Sequence, residues 1–376
     1  MHEIEDVQVI LKTTERCNLA CTYCYFFTDE RQEYLNRPAV ISRKTLESVS
    51  TFLSDGAKDL GLKRVAIGFH GGEPTLQKKS DFDFMCELFR RSLEDVVELD
   101  LVIQTNAARL DNEWIRLFER HHVRVGVSID GPQSANDRAR LDHKGRSSFD
   151  KVVAGVRALR EARERGALRG LGALCVGDPR NDQRELLDFM VGDLGIKSLD
   201  VLLPQAELAA EPEAYGQMLC DLFDAWIDQN DSRVRIRIID DLLAKLGGRS
   251  SYIFPSGGEP SPSVAFRISS DGALLADEVV RFDHWPQANV AESRMSRWLG
   301  HEAFGEVRSP TVPDGCRNCE WVRLCGGGHP WHRMSPAATD FNRPSSLCAG
   351  LKRFYSHVCD YLGSRGLLSS SALMAG

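Results

Sequence analysis

Three cysteines near the N-terminus are spaced so that they can hold one inorganic group. Cys17, Cys21 and Cys24 form a Cys-x3-Cys-x2-Cys pattern directly after an apolar, strand-like run at residues 7–11. A structural zinc ion requires a closed shell of four ligands, whereas an iron–sulfur cube held by three cysteines keeps one iron open for a substrate. The spacing therefore favours an iron–sulfur cluster. A zinc site with a distant fourth ligand, or three unrelated core cysteines, are the alternatives.

A second set of cysteines lies near the C-terminus. Its members are Cys316, Cys319, Cys325 and Cys348, and the third is followed by three glycines at 326–328. Four thiolates make a closed shell that suits either zinc or a [4Fe–4S] cluster, and the spacing alone does not decide between them. The other cysteines are scattered over predicted helices and one strand, and we expect them to be small buried residues. They are Cys86, Cys175, Cys220 and Cys359.

Composition limits the class of protein that can carry these cysteines. The chain has 376 residues, of which 42% are hydrophobic and 27% charged, as in a globular protein. A formal charge of −7 argues against nucleic acid as the main partner. No apolar run is long enough to span a membrane, and the N-terminus lacks the pattern of a secretory signal. We therefore predict a cytoplasmic location, where eleven cysteines indicate metal chemistry and not disulfides.

Apolar strand-like runs alternate with longer helical patterns over the first 235 residues, which predicts an α/β fold with a parallel sheet. Six strand–helix repeats are too few to close an eight-stranded barrel. The strand candidates are 7–12, 64–70, 99–104, 123–129, 170–176 and 198–203. The helix candidates are 43–59, 81–94, 111–120, 148–165, 181–193 and 212–228, with start signals at Ser42, Asp111 and Ser147 or Ser148.

The pattern changes after residue 235. Residues 247–263 are rich in Gly, Ser and Pro, which is typical of a loop and of a domain boundary. A short hairpin is predicted at 263–268 and 273–275, and a last helix near 345–362. We predict three regions, namely a barrel at 1–235, a bridging region at 236–310 and a small cysteine-rich domain at 311–376.

Polar and glycine-containing motifs follow the predicted strands. In α/β sheets of this kind, ligands bind at the carboxyl ends of the strands. The cysteine loop follows strand one, Gly71-Gly72-Glu73 follows strand two, Asn106 follows strand three, and Ser128 and Asp130 follow strand four. Glycines allow a ligand to approach the backbone closely, and a neighbouring carboxylate can hold a cationic amine. These motifs predict a binding site around the cysteine loop.

The three cysteines, with Tyr23 before the last of them and the Gly-Gly-Glu-Pro motif, resemble the radical S-adenosylmethionine (SAM) superfamily. The resemblance implies an open, partial (β/α)6 TIM-type barrel that binds a [4Fe–4S] cluster and SAM. Gly71, Gly72 and Glu73 would hold the amino group of SAM. By the same resemblance, the remaining SAM contacts would come from Tyr23, Asn106, Ser128, Asp130, Arg140, Leu174 and Val176. Taken singly, Gly-Gly-Glu-Pro is also an ordinary turn, Asp130 also suits a turn, and Leu174 and Val176 are also core residues.

The C-terminal cysteines resemble the auxiliary-cluster domain, called SPASM, of radical SAM enzymes that act on peptides. Members with two auxiliary clusters have another cysteine where this chain has His329, and further cysteines in a region where this chain has none, between Cys220 and Cys316. We therefore expect two [4Fe–4S] clusters in total, the radical SAM cluster and one auxiliary cluster. His332 and Arg333 would either tune the auxiliary cluster by hydrogen bonding or cap the fold.

The C-terminal cysteine pattern, with ligands for one auxiliary cluster, resembles that of maturases of ribosomally made peptides (RiPPs) that form cyclophanes. In a cyclophane, an aromatic ring is joined to a side-chain β-carbon. The resemblance implies an oxidoreductase in which a 5′-deoxyadenosyl radical removes a β-hydrogen from a bound peptide. Closing the ring then requires the loss of one electron, for which the auxiliary cluster is the expected acceptor, and of one proton. Asp277 is the candidate base, and the alternative is that it is one surface carboxylate beside Glu278.

The expected partners are a precursor peptide and an external reductant such as flavodoxin or ferredoxin. The precursor would be recognised by the barrel face, the 204–215 loop, the C-terminal domain or a separate peptide-recognition protein. Two other functions remain open. The first is a different radical modification of a peptide, namely formylglycine formation as in anaerobic sulfatase maturases, epimerisation or hydroxylation. The second is a zinc-binding adaptor without catalysis.

Overall fold

The computed structural model describes residues 4–28, 32–204, 211–249, 262–280, 282, 285–308, 311–334 and 340–367. Most of the predicted loop at 247–263 lies outside the described residues. The strands are β1 (Asp6–Thr14), β2 (Arg64–Gly71), β3 (Glu98–Thr105), β4 (Arg124–Ser128), β5 (Leu171–Val176), β6 (Ser198–Leu202), β7 (Arg235–Ile236), β8 (Ser263–Ile268), β9 (Ala273–Leu275) and β10 (Ala288–Asn289).

The helices alternate with these strands along the first two thirds of the chain. They are α1 (Tyr25–Thr28), α2 (Arg43–Leu60), α3 (Lys79–Leu93), α4 (Asn112–Arg120), α5 (Gln133–Asn136), α6 (Phe149–Glu164), α7 (Gln183–Leu187), α8 (Pro212–Gln229), α9 (Arg237–Leu246), α10 (Met295–Leu299), α11 (Glu302–Arg308), α12 (Val322–Cys325) and α13 (Cys348–Ser364). The six predicted strand–helix repeats are confirmed, and with them the α/β fold of a partial (β/α)6 barrel. The helix predicted at 181–193 is split, because α7 continues as a π-helical turn at Asp188–Asp193.

Two compact units make up the chain. Unit one comprises Met1–Ala173 and Pro262–Val307, and unit two comprises Leu174–Ser261 and Arg308–Gly376. The change from one unit to the other falls within β5. The predicted domain boundaries at 235 and 310 stay a prediction.

In unit one, β1 is the centre of the sheet. It is paired in parallel on both edges, and its side chains Val7, Val9 and Leu11 are at most 2% exposed. On one side the order continues β2, β3, β4, all parallel. On the other side lies β8, paired with β1 from Asp6↔Ser263 to Leu11↔Ile268, followed by antiparallel β9 and β10. The predicted hairpin is confirmed, and it extends the barrel sheet.

Local capping explains where several helices begin. The Ser42 hydroxyl accepts a hydrogen bond from the Thr45 N–H at 3.0 Å, and Asp111 Oδ1 accepts from the Glu113 and Trp114 N–H groups. At α6 the capping hydroxyl is that of Ser147, which accepts from the Phe149 N–H at 3.1 Å. Within the described ranges, no helix is both long and apolar enough to cross a lipid bilayer.

In unit two, α8 packs against α13 through a pair of glycines. A β-carbon on Gly216 would lie 2.5 Å from the Gly350 Cα, and one on Gly350 would lie 2.0 Å from the Pro212 carbonyl oxygen. Both distances are shorter than real contacts, so the helices approach this closely only because neither residue has a side chain. Since α13 begins at Cys348, this contact also places the fourth cysteine of the second set.

Replacing Gly350 with alanine should destabilise the protein by about 1–3 kcal/mol, because the new methyl group overpacks the α8–α13 contact. Urea unfolding of the full chain measures the change. Gly363→Ala on the same helix is the matched control, since a β-carbon there meets nothing within 4 Å. Equal stability of the two variants would contradict the close-packing explanation.

Candidate active site

The cysteine loop leaves the end of β1 and brings the first three thiols together. Cys17, Cys21 and Cys24 are all half-buried, and the Leu19 N–H donates to Cys17 Sγ at 3.4 Å. Burial, together with the negative charges of Glu73, Cys21 and Cys24, raises the pKa of the Cys17 thiol to about 12, although the Leu19 N–H acts in the opposite direction. These mutual effects show that the thiols are neighbours. Such a loop suits an iron–sulfur cluster. Three thiolates would bind three of its irons and leave the fourth iron open.

The end of β2 passes directly against this loop. A β-carbon on Gly71 would lie 2.2 Å from the Thr14 carbonyl oxygen, and one on Gly72 would lie 2.1 Å from the Arg16 carbonyl oxygen. The Gly72 N–H donates to the Thr14 carbonyl at 2.8 Å. Both glycines are thus required by close backbone approach, which is independent of the SAM contact that was predicted for them.

Glu73 lies at the centre of a buried hydrogen-bond network and is 1% exposed. Its Oε1 accepts from the hydroxyls of Thr75 and Thr105, both at 2.6 Å, and its Oε2 accepts from the Asn106 N–H at 2.7 Å. Burial raises the pKa of Glu73 even though these hydrogen bonds act in the opposite direction. Asn106 in turn donates to Asn18 Oδ1 in the cysteine loop at 2.9 Å. The network fixes the Glu73 carboxylate beside that loop, and its contact with SAM stays a prediction.

Three of the other predicted SAM residues form one hydrogen-bonded chain. The Tyr23 hydroxyl donates to Asp130 Oδ2 at 2.5 Å and accepts from Arg140 Nη1 at 2.7 Å. Burial disfavours the charge on Arg140, but Tyr23 and Asp130 together raise its pKa. Arg140 is 6% exposed, and its Nε has no hydrogen-bond partner among the residues that the structure describes. A buried guanidinium with a free N–H is suited to a carboxylate ligand.

The remaining SAM candidates lie on strands. Ser128 ends β4, where its hydroxyl accepts from Gln104 Nε2 at 2.8 Å. Leu174 and Val176 are half-buried on one face of β5, alternating with buried Ala173 and Cys175. Their predicted contacts with SAM stay predictions.

In unit two, the four cysteines of the second set line a single cavity of about 320 Å³, part of it open to solvent. Cys316 is buried, and Cys319, Cys325 and Cys348 are half-buried. In the part of the chain that the structure describes, no three His, Cys, Asp or Glu side chains converge on one point as ligands of a single ion would. The four thiols line one cavity, and a set of four cysteines is a ligand set that suits a cluster of several metal atoms.

The glycines after Cys325 are explained by Arg333. Gly326, Gly327 and Gly328 all have positive φ angles, of 57°, 94° and 89°. This backbone turns its carbonyls towards Arg333, which is 1% exposed and donates to the carbonyls of Gly326 and Gly328 and, at 3.0 Å, of Thr311. Of the two roles considered for Arg333, the structure therefore supports capping of the fold. His332 is also buried, and its predicted role stays open to test.

The four cysteines outside the two thiol sites are core residues, as predicted. They are 0–7% exposed, and their residue numbers are 86, 175, 220 and 359. Burial raises the pKa of Cys220 to about 11, so this thiol is protonated at neutral pH. These residues contribute apolar packing.

Asp277, the candidate base, is half-buried and caps a turn. Its Oδ1 accepts hydrogen bonds from the N–H groups of Val279 and Val280, both at 2.8 Å. The residue after it, Glu278, is 7% exposed and forms an ion pair with Lys12. The sequence analysis treated Glu278 only as a neighbour of Asp277 and missed this pair.

Lys12 and Glu278 are the centre of a buried ionic network in unit one. Lys12 is 0% exposed, and its Nζ lies 3.2 Å from His70 Nδ1 and 4.5 Å from the centroid of the Phe26 ring. The Tyr25 hydroxyl donates to Glu278 Oε1. Burial opposes the charge on Glu278, but Lys12 and Arg267 lower its pKa to about 2. The Glu278 carboxylate is therefore a stable anion and a poor base.

A sequence signal for this network does exist. Lys12 interrupts an apolar strand that is otherwise buried, and a lysine in such a place needs a buried acidic partner. The signal does not identify the partner, because Glu278 lies at the opposite end of the chain.

Lys12→Met should destabilise the protein by about 3–5 kcal/mol, since it leaves the Glu278 carboxylate buried without its main counter-charge. Chemical unfolding of the full chain measures this loss. A double variant, Lys12→Met with Glu278→Met, should recover much of the stability. If the double variant were less stable than Lys12→Met, the ion pair would not be the reason for the loss.

Comparison with known proteins shows what this chain is similar to. Residues 11–190 match the Radical SAM superfamily. The chain is 26% identical over 368 residues to the serine-type anaerobic sulfatase-maturating enzyme of Bacteroides thetaiotaomicron, covering 92% of this chain and 87% of that protein. It is 27% identical over 367 residues to the cysteine-type enzyme of Clostridium perfringens, covering 93% of this chain and 95% of that protein.

Solved structures agree on the fold. Native anSMEcpe with bound AdoMet and the Cp18Cys peptide superposes with a TM-score of 0.80 at 24% identity, covering 96% of this chain and 99% of that chain. Streptococcus suis SuiB bound to its precursor peptide SuiA gives a TM-score of 0.60 at 17% identity, covering 92% of this chain and 76% of that chain. At these identities the likeness establishes the fold. We conclude that residues 11–190 form a radical SAM domain and that the chain is related, along most of its length, to the anaerobic sulfatase-maturating enzymes.

Proposed function

We propose that this protein is a radical SAM enzyme that removes a hydrogen from a side-chain β-carbon of a ribosomally made precursor peptide. The carbon is then joined to an aromatic ring to form a cyclophane. The observation that carries this proposal is the presence of two thiol sites of different kinds, an open set of three and a closed set of four. The first suits a cluster that activates SAM, and the second suits a cluster that only transfers electrons.

Peptides are the substrate class that the relatives support. The curated relatives are maturating enzymes of sulfatases, and two of the similar structures contain a bound peptide. The chain spans 87–95% of the length of those curated relatives, so the similarity is not confined to the cofactor domain.

The cysteine count distinguishes this chain within such a group. Seven cysteines lie in the two thiol sites, and the other four are buried in the core. A third cluster would need further ligands, and His329 stands at a position where two-cluster members have a cysteine. We therefore infer one auxiliary cluster, as in the cyclophane-forming enzymes that the sequence resembles.

When bound, the cofactors supply a hydrogen-abstracting 5′-deoxyadenosyl group from SAM and an acceptor for one electron at the auxiliary site. The polar SAM candidates, which lie in unit one, would hold and orient SAM. Glu73 would bind the amino group, and Arg140, held by Tyr23 and Asp130, would bind the carboxylate. Such positioning directs abstraction to the hydrogen that lies nearest.

Forming a bond between a β-carbon and an aromatic carbon removes two hydrogens. One leaves as a hydrogen atom, and the other leaves as an electron and a proton. Asp277 is the proposed proton acceptor, because its Oδ1 is fixed by two N–H groups while Glu278 beside it is held as an anion by Lys12. The electron that starts each turnover would come from an external reductant of the flavodoxin or ferredoxin class, and a separate protein would present the precursor.

Formylglycine formation is the second candidate, and the similarity to both types of sulfatase-maturating enzyme favours it. Oxidation of a serine to formylglycine also removes two hydrogens, so the mass of the product does not separate it from a crosslink. The aldehyde does, because it reacts with a hydrazide, whereas a cyclophane does not.

Anaerobic co-expression with the short peptide encoded beside the gene tests the proposal. We expect a peptide that is lighter by two hydrogens, is inert to hydrazide, and lacks backbone fragments between the two joined residues in tandem mass spectrometry. A hydrazide adduct would establish formylglycine instead. An unchanged mass with an inverted residue would establish epimerisation, and an added oxygen would establish hydroxylation.

Cysteine variants test the assignment of the two sites. Anaerobically purified protein should contain about eight irons, and replacing Cys17, Cys21 and Cys24 with alanine should remove about half of them and abolish 5′-deoxyadenosine formation. Cys348→Ala should retain some SAM cleavage but yield no modified peptide. Cys359→Ala, on the same helix but in the core, is the control and should behave as the parent. Colourless protein that contains zinc would instead support the adaptor hypothesis.

A further inference from the structure

We propose that Arg267 binds a carboxylate of the peptide substrate inside the barrel of unit one. The inference rests on the proposed function only in that it takes a peptide to be the substrate, and it holds for any modification that this peptide undergoes. The carboxylate would belong to an aspartate or glutamate side chain or to the free C-terminus of the peptide.

Arg267 lies on the interior face of the sheet. Its neighbour Phe266 packs edge-on against Phe52 of α2, with ring centroids 6.3 Å apart, so Phe266 is on the face that the helices cover. Successive side chains of a strand point to opposite faces, which places Arg267 on the other face. In β2, Phe69 likewise packs on α3, which places the next residue, His70, on the same interior face.

Three polar side chains meet on this face near the carboxyl ends of parallel strands. Lys12 is the third residue from the end of β1, His70 is the last residue but one of β2, and Arg267 is the last but one of β8. Ligands of such barrels bind at this end. The ring centroid of Phe26, two residues after Cys24, lies 4.5 Å from Lys12 Nζ and 6.0 Å from Arg267 Cζ. The three side chains are therefore next to the cysteine loop.

The guanidinium of Arg267 is only partly used. Its Nη1 donates to the Glu278 carbonyl oxygen at 3.2 Å, whereas Nε and Nη2 are buried and have no hydrogen-bond partner in the described part of the chain. The two acids that act on Lys12 have other contacts, since the Glu278 carboxylate pairs with Lys12 itself and Glu15 Oε1 accepts from the Ser270 N–H at 3.2 Å. Glu278 Oε2 also lacks a partner among the described residues, and a backbone N–H of a bound peptide could satisfy it.

The two free N–H groups indicate the ligand. Nε and Nη2 lie along one edge of the planar guanidinium, and such an edge matches the two oxygens of a carboxylate in a bidentate contact. Buried donors without partners cost free energy, so an arginine that serves only the fold is expected to use this edge. Arg64, on the same face at the amino end of β2, does form an ion pair, with Asp100. The unused edge of Arg267 is therefore suited to a group that arrives with the substrate.

This contact is separate from the one proposed for SAM. Arg140 is joined through the Tyr23 hydroxyl to Asp130, which follows β4. In the sheet, β1, β2 and β3 lie between β4 and β8. The SAM carboxylate and the peptide carboxylate would thus be held by different arginines, at strands on opposite sides of β1.

Equilibrium binding of the precursor to the anaerobic, full-length enzyme, with SAM present and no reductant, tests the inference. The probe is the fluorophore-labelled short peptide encoded beside the gene. Its variants replace each Asp with Asn, each Glu with Gln, and the free C-terminus with an amide. In the parent enzyme we expect one of these replacements to weaken binding by about 10- to 100-fold, as the loss of a charge-assisted contact does. In Arg267→Gln the same replacement should change binding by less than about threefold.

Arg64→Gln is the matched control. It makes the same change on the same face of the sheet at the opposite end of the strands, and it should discriminate between the peptides as the parent does. Arg267→Lys keeps the charge but loses the bidentate edge, so its discrimination should fall between those of the parent and Arg267→Gln. The affinity for SAM should be the same in all four proteins.

Equal binding of all the peptides to the parent enzyme would overturn the inference, and so would a carboxylate preference that persists in Arg267→Gln. Weaker SAM binding in that variant would assign Arg267 to the cofactor and would also overturn it. If Arg267→Gln does not fold, Arg267→Lys decides, because unchanged discrimination there would exclude a bidentate contact.

Failure of the proposed function is distinguishable from these outcomes. A precursor that binds with this preference but is not crosslinked would refute only the proposed function. If the precursor does not bind the parent enzyme, peptides selected from a random display library replace it. Enrichment of Asp or Glu at one position by the parent enzyme, lost in Arg267→Gln, would support the inference, and selection of the same sequences by both would overturn it.

Discussion

The contact between the backbone of β2 and the cysteine loop is the constraint on which the first site depends. The Arg16 carbonyl occupies the space that a β-carbon at residue 72 would need, so the loop and the strand end can meet only at glycine. Glu73, the next residue, is then fixed to the end of β3 by Thr105 and Asn106. One short glycine pair thereby joins two strand ends to the loop that carries three thiols.

The second site is built by a different principle. Its cysteines come from two short turns and from the start of a long helix, and the turns are held by Arg333 and not by a sheet. The α8–α13 glycine contact sets the position of that helix within unit two. Each thiol site thus has its own means of support, which fits the separate roles that the proposed function gives to the two clusters.

Much of this was predictable because the signals are local. Apolar strand-like runs and helical patterns identified the six repeats, and Ser42 and Asp111 marked helix starts through side-chain caps. The thiol sites were recognisable because their ligands are close in sequence. The parallel pairing of β8 with β1 was not predictable, since a short hairpin pattern contains no information about a third strand. The Lys12–Glu278 pair was missed for the same reason, because its two residues lie far apart along the chain.

The arrangement around β1 has a consequence for biosynthesis. The strand leaves the ribosome well before β8, because Tyr25 beside it is separated by 253 residues from its hydrogen-bond partner Glu278, which is also the counter-ion of Lys12. At usual elongation rates that interval is on the order of tens of seconds. During this time one edge of β1 is unpaired and a lysine destined for the interior has no neutralising carboxylate. The segment that precedes β8 therefore emerges as an incomplete intermediate with an open strand edge, which the later hairpin closes.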